Sequence, residues 1–154
     1  MHTEHLQNVG VGRVLVGWLI AVAVASIVVF LFVAMGVMTG DDSARDATWA
    51  MVAVAVGFLV GGWFTGLRAV EAPILHGIAL GLTSLVAWVA LNGLVLVLGL
   101  GEWTGLTPAA TLVMLLTQVV AAVVGCWAGV RSAEDRAEEV ASSPDVGVRD
   151  RGET

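Results

Sequence analysis

Lysine and tyrosine are absent from this chain of 154 residues, and charged residues of every kind make up only 13% of it. A soluble domain carries about a quarter charged residues, so the sequence lacks the polar surface that water would require. Positive charge rests on seven arginines against 13 acids, a net charge of −6. Nucleic-acid binding needs clustered positive charge to meet phosphates, and that class is excluded. Cysteine occurs once, as Cys126, which rules out an intrachain disulfide. Set in an apolar run, it reads as a small packed side chain. Charge is missing altogether from the interior of the apolar runs, where no Asp, Glu, Arg or His occurs. Proton relays, voltage sensors and charge-coupled pumps are built from such residues, so a charge-driven mechanism is not expected. Nor does the chain show a nucleophile beside a base, metal ligands at matched depth or a pair of acids, from which active sites are assembled. Neither enzymatic activity nor a cofactor or metal is expected. His2 and His5 form an H-x-x-H near the N-terminus, a spacing too common to mark a metal site.

What the chain does have is apolar length. Hydrophobic residues make up 58% of it and the mean hydropathy is +0.91. They fall in four runs, 14–38, 49–67, 74–100 and 108–130. A bilayer core about 30 Å thick is crossed by roughly 20 apolar residues of helix. Alternation of apolar and polar residues is missing, which argues against a β-barrel. Backbone groups in lipid must then be satisfied within the segment, and helix is the remaining choice. The sequence predicts an all-α membrane protein of four transmembrane helices spanning 14–130, after an N-terminal segment 1–13. A tail, 131–154, starts helical, with Arg131 and Asp135 at i,i+4 spacing, and becomes disordered from Ser142 onward. The first and third runs exceed the core thickness and should tilt or protrude. The first is also too long for a cleaved signal, whose apolar region is about 7–15 residues. Pro73 and Pro108 stand at first-turn positions, where a missing N–H costs nothing, and Thr107 is the expected cap of the last span.

Orientation follows from arginine. Arg13, Arg68, Arg131, Arg136, Arg149 and Arg151 lie on one side of the predicted spans and only Arg45 on the other. The positive-inside rule then puts both termini in the cytoplasm, of a chain in the plasma membrane. Tryptophans agree with two aromatic belts: Trp49 and Trp103 at the outer interface, and Trp18, Trp63 and Trp127 near the inner one. Trp88 falls mid-span as a packing residue.

The chain also resembles itself. A shift of 63 lays residues 48–71 on 111–134 without gaps, with eight identities in 24 positions. Shared valines are cheap in this composition, but the common G-x-x-x-G-x-R-x-x-E is not. It comprises Gly62, Gly66, Arg68 and Glu71 in one copy and Gly125, Gly129, Arg131 and Glu134 in the other. Under the same shift Arg13 lands on His76 and Gly36 on Gly99. Each unit holds two spans, so the copies form a parallel repeat, two tandem helical hairpins related by an axis along the membrane normal.

The run Gly61-Gly62-Trp63-Phe64-Thr65-Gly66-Leu67-Arg68-Ala69, followed by His76-Gly77, resembles a family of small four-span bacterial membrane proteins of unassigned function. That family has a Gly-Gly-aromatic-x-small-Gly-basic signature and a later His-Gly. Leu67 departs from it where a basic residue is usual. The resemblance covers the two central spans and implies fold and topology without an activity.

Three groups of residues are candidates for function. Glycines spaced by four, Gly57/Gly61, Gly62/Gly66, Gly77/Gly81 and Gly125/Gly129, let helices approach closely in lipid. They serve either packing within the chain or a homo-oligomer interface. Arg68/Glu71 and Arg131/Glu134 are one turn apart at the inner ends of spans two and four, where Arg can snorkel to the headgroups. His76 belongs to the same interface. Near the midplane lie Ser26, Thr83, Ser84, Thr117 and Gln118, with Asn92 further out, as interhelical glue or as the lining of a solute path. Two functional readings follow. The first is a structural or accessory subunit that interacts with the bilayer and with itself or another membrane protein. The second is a small oligomeric channel or transporter for a neutral or weakly polar solute. Whether Gln118 and Asn92 face lipid, a neighbouring helix or an aqueous cavity separates them.

Overall fold

A computed structural model of the chain describes residues 10–68, 72–99 and 108–142. Among these residues the structure is all-helical: α1 is Val11–Ala34, α2 Ser43–Gly66, α3 Pro73–Val97 and α4 Pro108–Ser142. All four are long and apolar enough to cross a membrane, so the protein is a multi-pass integral membrane protein. At 1.5 Å per residue, the 24 or 25 residues of α1, α2 and α3 reach about 36 Å.

Several boundaries differ from those expected, each for a local reason. α1 stops at Ala34 because Gly36 adopts φ +70. Its N–H donates to the Val33 carbonyl and that of Val37 to the Phe32 carbonyl, the paired closure of a Schellman motif. α2 begins six residues before Trp49 because the Asp42 carboxylate accepts from the N–H groups of Ala44 and Arg45, both at 3.1 Å. That carboxylate satisfies donors a helix start leaves open. α3 ends at Val97, ahead of Gly99 at φ +62. Gly36 and Gly99, matched by the 63-residue shift, thus close α1 and α3 in the same way. α4 does not end at Val130 but runs on through Ser142; its last 12 residues project about 18 Å past the apolar span. The expected disorder beyond this point lies outside the described residues, as do Trp103, Thr107, Arg149, Arg151, His2 and His5.

The bundle is built on the contact between α2 and α4. A Cβ built on Gly62 would strike the Ala122 carbonyl oxygen, and one on Gly125 would strike that of Leu59. One turn on, Gly66 lies against the Cys126 carbonyl and Gly129 against that of Trp63. Adding 63 to Leu59 gives Ala122, and adding 63 to Trp63 gives Cys126. Each contact therefore recurs with the two helices exchanged, which is what a pseudo-two-fold axis along two parallel helices requires. Close approach of this kind is the means by which small residues join helices in lipid.

The outer helices break that symmetry. α1 lies antiparallel on α2, with Gly61 against the Gly17 carbonyl and Gly57 against Ala21 and Ala25. Shifted by 63, these contacts would set Leu80 against Val124 and Ser84 against Val120. Instead Gly77 meets Val123 and Gly81 meets Val119, a register displaced by about one helical turn. The glycines of this second contact lie on α3, whereas those of the first lie mostly on α2, so the two hairpins seat on different grooves.

Burial is concentrated at the end where α1 begins and α2 finishes. No residue of 26–34, 43–52, 82–97 or 109–117 is buried. Glycine and alanine line the helix faces at the packed end.

Candidate functional site

Polar side chains within a membrane span are costly unless paired, so their partners show which are free for other work. Ser26, Thr83 and Thr117 each donate from the hydroxyl to a carbonyl one turn back, those of Val22, Ala79 and Val113. Asn92 Nδ2 donates to the Trp88 carbonyl at 2.7 Å. All four donate within their own helices.

Ser84 and Gln118 behave differently. The indole Nε1 of Trp18, on α1, donates to Ser84 Oγ on α3 at 2.9 Å. Beside this bond Gln118 is buried, 8% exposed, and its Oε1 has no partner. Two cavities meet here. One, about 390 Å³, lies between α1, α3 and α4 and is walled by Trp18 and Trp88. The other, about 420 Å³, is an open cleft lined by residues of all four helices, Ala25 and Phe58 among them. Ser84, Met114 and Gln118 line both. The cavities adjoin the region where burial falls away, beyond the small-residue contacts. Apart from the Gln118 amide, the Trp18 indole N–H and the hydroxyls of Ser26, Ser84 and Thr111, the walls are apolar.

Toward the termini the space is closed. Thr65 and Leu80 fill the gap beside Gly17, and Thr65 Oγ1 donates to the Gly61 carbonyl at 2.8 Å. His76 does not lie on the interfacial surface as expected: it is 2% exposed. Its Nδ1 is 3.1 Å from the Ala72 carbonyl oxygen; a carbonyl only accepts, so Nδ1 carries the proton. Nε2 is left buried without a partner.

At the same end, the Arg68 guanidinium lies over the Phe64 ring at 4.3 Å and that of Arg131 over the Trp127 ring at 4.8 Å. Phe64 and Trp127 are again 63 residues apart, so both copies use one device, a cation on the aromatic face one turn back. Arg131 pairs with neither Glu134 nor Asp135 among the described residues; the Arg68/Glu71 pair expected from the sequence lies outside them, since Glu71 is not described. Trp18 was the functional residue sequence reasoning misassigned. Counted with an interfacial belt, it instead turns into the bundle, where its N–H requires the acceptor that Ser84 supplies.

Among the described residues no three His, Cys, Asp or Glu side chains come together as metal ligands would. The arrangement can hold a small molecule by shape and by one or two hydrogen bonds. Comparison with known proteins finds no matching family model, curated protein or solved structure, so function must be argued from this geometry.

Proposed function

We propose that the protein is a small membrane transporter whose bundle interior receives a neutral, weakly polar solute, an apolar molecule bearing one hydrogen-bond donor. The observation that carries this reading is the Gln118 carbonyl oxygen, unpaired and buried at the junction of two cavities. A buried acceptor without a donor costs about 1–3 kcal/mol, and a ligand N–H or O–H would recover it. The closed packing toward the termini gives the site access from the opposite end or from the lipid. The reading is non-enzymatic and needs no cofactor. The arginine asymmetry supports both termini in the cytoplasm of a plasma-membrane protein.

The accessory-subunit reading has a separate support. The last turn of α3 is strongly exposed, Leu96 at 80% and Val97 at 82%. Its other support is weaker, because the glycine faces that suggested an oligomer already meet helices of the same chain.

Phenol and anisole share an apolar ring and differ in the donor, which makes them a test. Phenol should raise the unfolding temperature of the detergent-purified protein more than anisole does. The Gln118→Leu protein should be at least as stable as wild type without ligand and should lose the difference. Equal effects of the two compounds on wild type would sink the reading.

A further inference from the structure

At the packed end two arginines that the repeat does not relate, Arg13 and Arg68, come together. Arg13 Nη1 donates to the Arg68 carbonyl at 3.1 Å, tying the start of α1 to the end of α2. Both side chains line a cavity of about 350 Å³ whose other walls include Val16, Phe64 and Thr65. The Arg68 guanidinium is held on the Phe64 ring, 4.3 Å from its centre, so its planar face is fixed and its edge donors remain available. Neither arginine has an acidic partner among the described residues. Two positive charges converge on a pocket that is apolar on its membrane side, at the depth where the apolar part of the helices ends.

We propose that this pocket is a binding site for one anionic phospholipid, with the phosphodiester between the two guanidinium groups and the acyl chain along Val16 and Phe64. Two guanidiniums suit a phosphate because each presents a planar fork of donors. Anionic lipid at the inner leaflet attracts nearby basic residues in any case. A two-arginine pocket adds a fixed geometry to that general attraction. The repeat does not supply a second site. Arg131 repeats Arg68, but α3 opens Ala72-Pro73-Ile74-Leu75-His76 and brings no arginine to stand where Arg13 stands. The asymmetry separates a built site from surface charge, and the proposal is independent of the solute cavity at mid-bundle.

The test is the thermal unfolding of the full chain in mild detergent, with added phosphatidylglycerol, phosphatidylcholine or inorganic phosphate. Phosphatidylglycerol should raise the unfolding temperature well above the effect of phosphatidylcholine, and inorganic phosphate should not reproduce the shift. Arg13→Gln and Arg68→Gln should each remove half or more of that lipid-specific shift, while Arg131→Gln keeps it. Should Arg68→Gln fail to fold, Arg13→Gln alone decides, since Arg13 is exposed. The proposal is overturned if the two lipids act equally on wild type, if Arg13→Gln retains the full shift, or if Arg131→Gln loses as much as Arg13→Gln. A shift reproduced by inorganic phosphate overturns the lipid as its source.

Discussion

Ala72 shows how much a single residue can carry. It holds φ 56 and ψ 59, in the left-handed region, immediately before Pro73 opens α3, and its carbonyl accepts from the His76 ring at 3.1 Å. A side chain in that region costs roughly 1–2 kcal/mol, part of which glycine returns as extra freedom of the unfolded chain. Ala72→Gly is therefore expected to stabilise the protein by up to about 1 kcal/mol in detergent unfolding, and a loss of stability would show that the methyl group packs usefully. The midplane polar residues teach a different lesson. All six were visible in the sequence, but which would remain unpaired was not. Ser and Thr in a helix can always turn back to the carbonyl four residues earlier, and Asn92 does the same. Gln118 is the one whose oxygen ends buried and alone, a result of where α1 and α3 pass it.

At the scale of elements, the spacing of glycines was legible and their partners were not. Gly62, Gly66, Gly125 and Gly129 mark one contact seen from both sides, and the reciprocity with Leu59, Trp63, Ala122 and Cys126 follows from the repeat. The register of α3 does not, because a helix sliding by one turn keeps nearly the same face and only the neighbouring backbone decides where it rests. Gly66→Ala and Gly129→Ala should each destabilise the bundle by about 1–3 kcal/mol, and by similar amounts, since a Cβ at either meets a carbonyl of the other helix. Gly93→Ala should not destabilise the bundle and should add up to about 1 kcal/mol, because nothing lies within 4 Å of the added methyl. Chemical denaturation in detergent measures all three, and an unperturbed Gly129→Ala would rule out the reciprocal packing.

At the scale of the whole molecule, burial among the described residues is concentrated at the end where α1 begins and α2 finishes. The molecule's orientation is tested by labelling. In a Cys126→Ala background, a cysteine replacing Asp42 should react with an impermeant thiol reagent on intact cells, and one replacing Ala133 should not. The opposite pattern would invert the assignment from arginine, while reaction at both would indicate mixed insertion. The projecting turns of α4, with Arg131, Glu134, Asp135 and Arg136, are then on the cytoplasmic side, where their charge is hydrated.

The sequence by itself determined the number of spans, their helical form and the duplication, because lipid leaves the backbone no alternative to internal hydrogen bonds and apolar length is written residue by residue. It also determined that glycine faces would meet. The tertiary structure alone decided that Trp18 turns inward to Ser84, that Arg68 rests on Phe64 beside Arg13, that His76 is buried, and that Gln118 faces a cavity. Each depends on the relative height and rotation of two helices. Those are set by contacts between residues far apart in the chain, which no local pattern encodes.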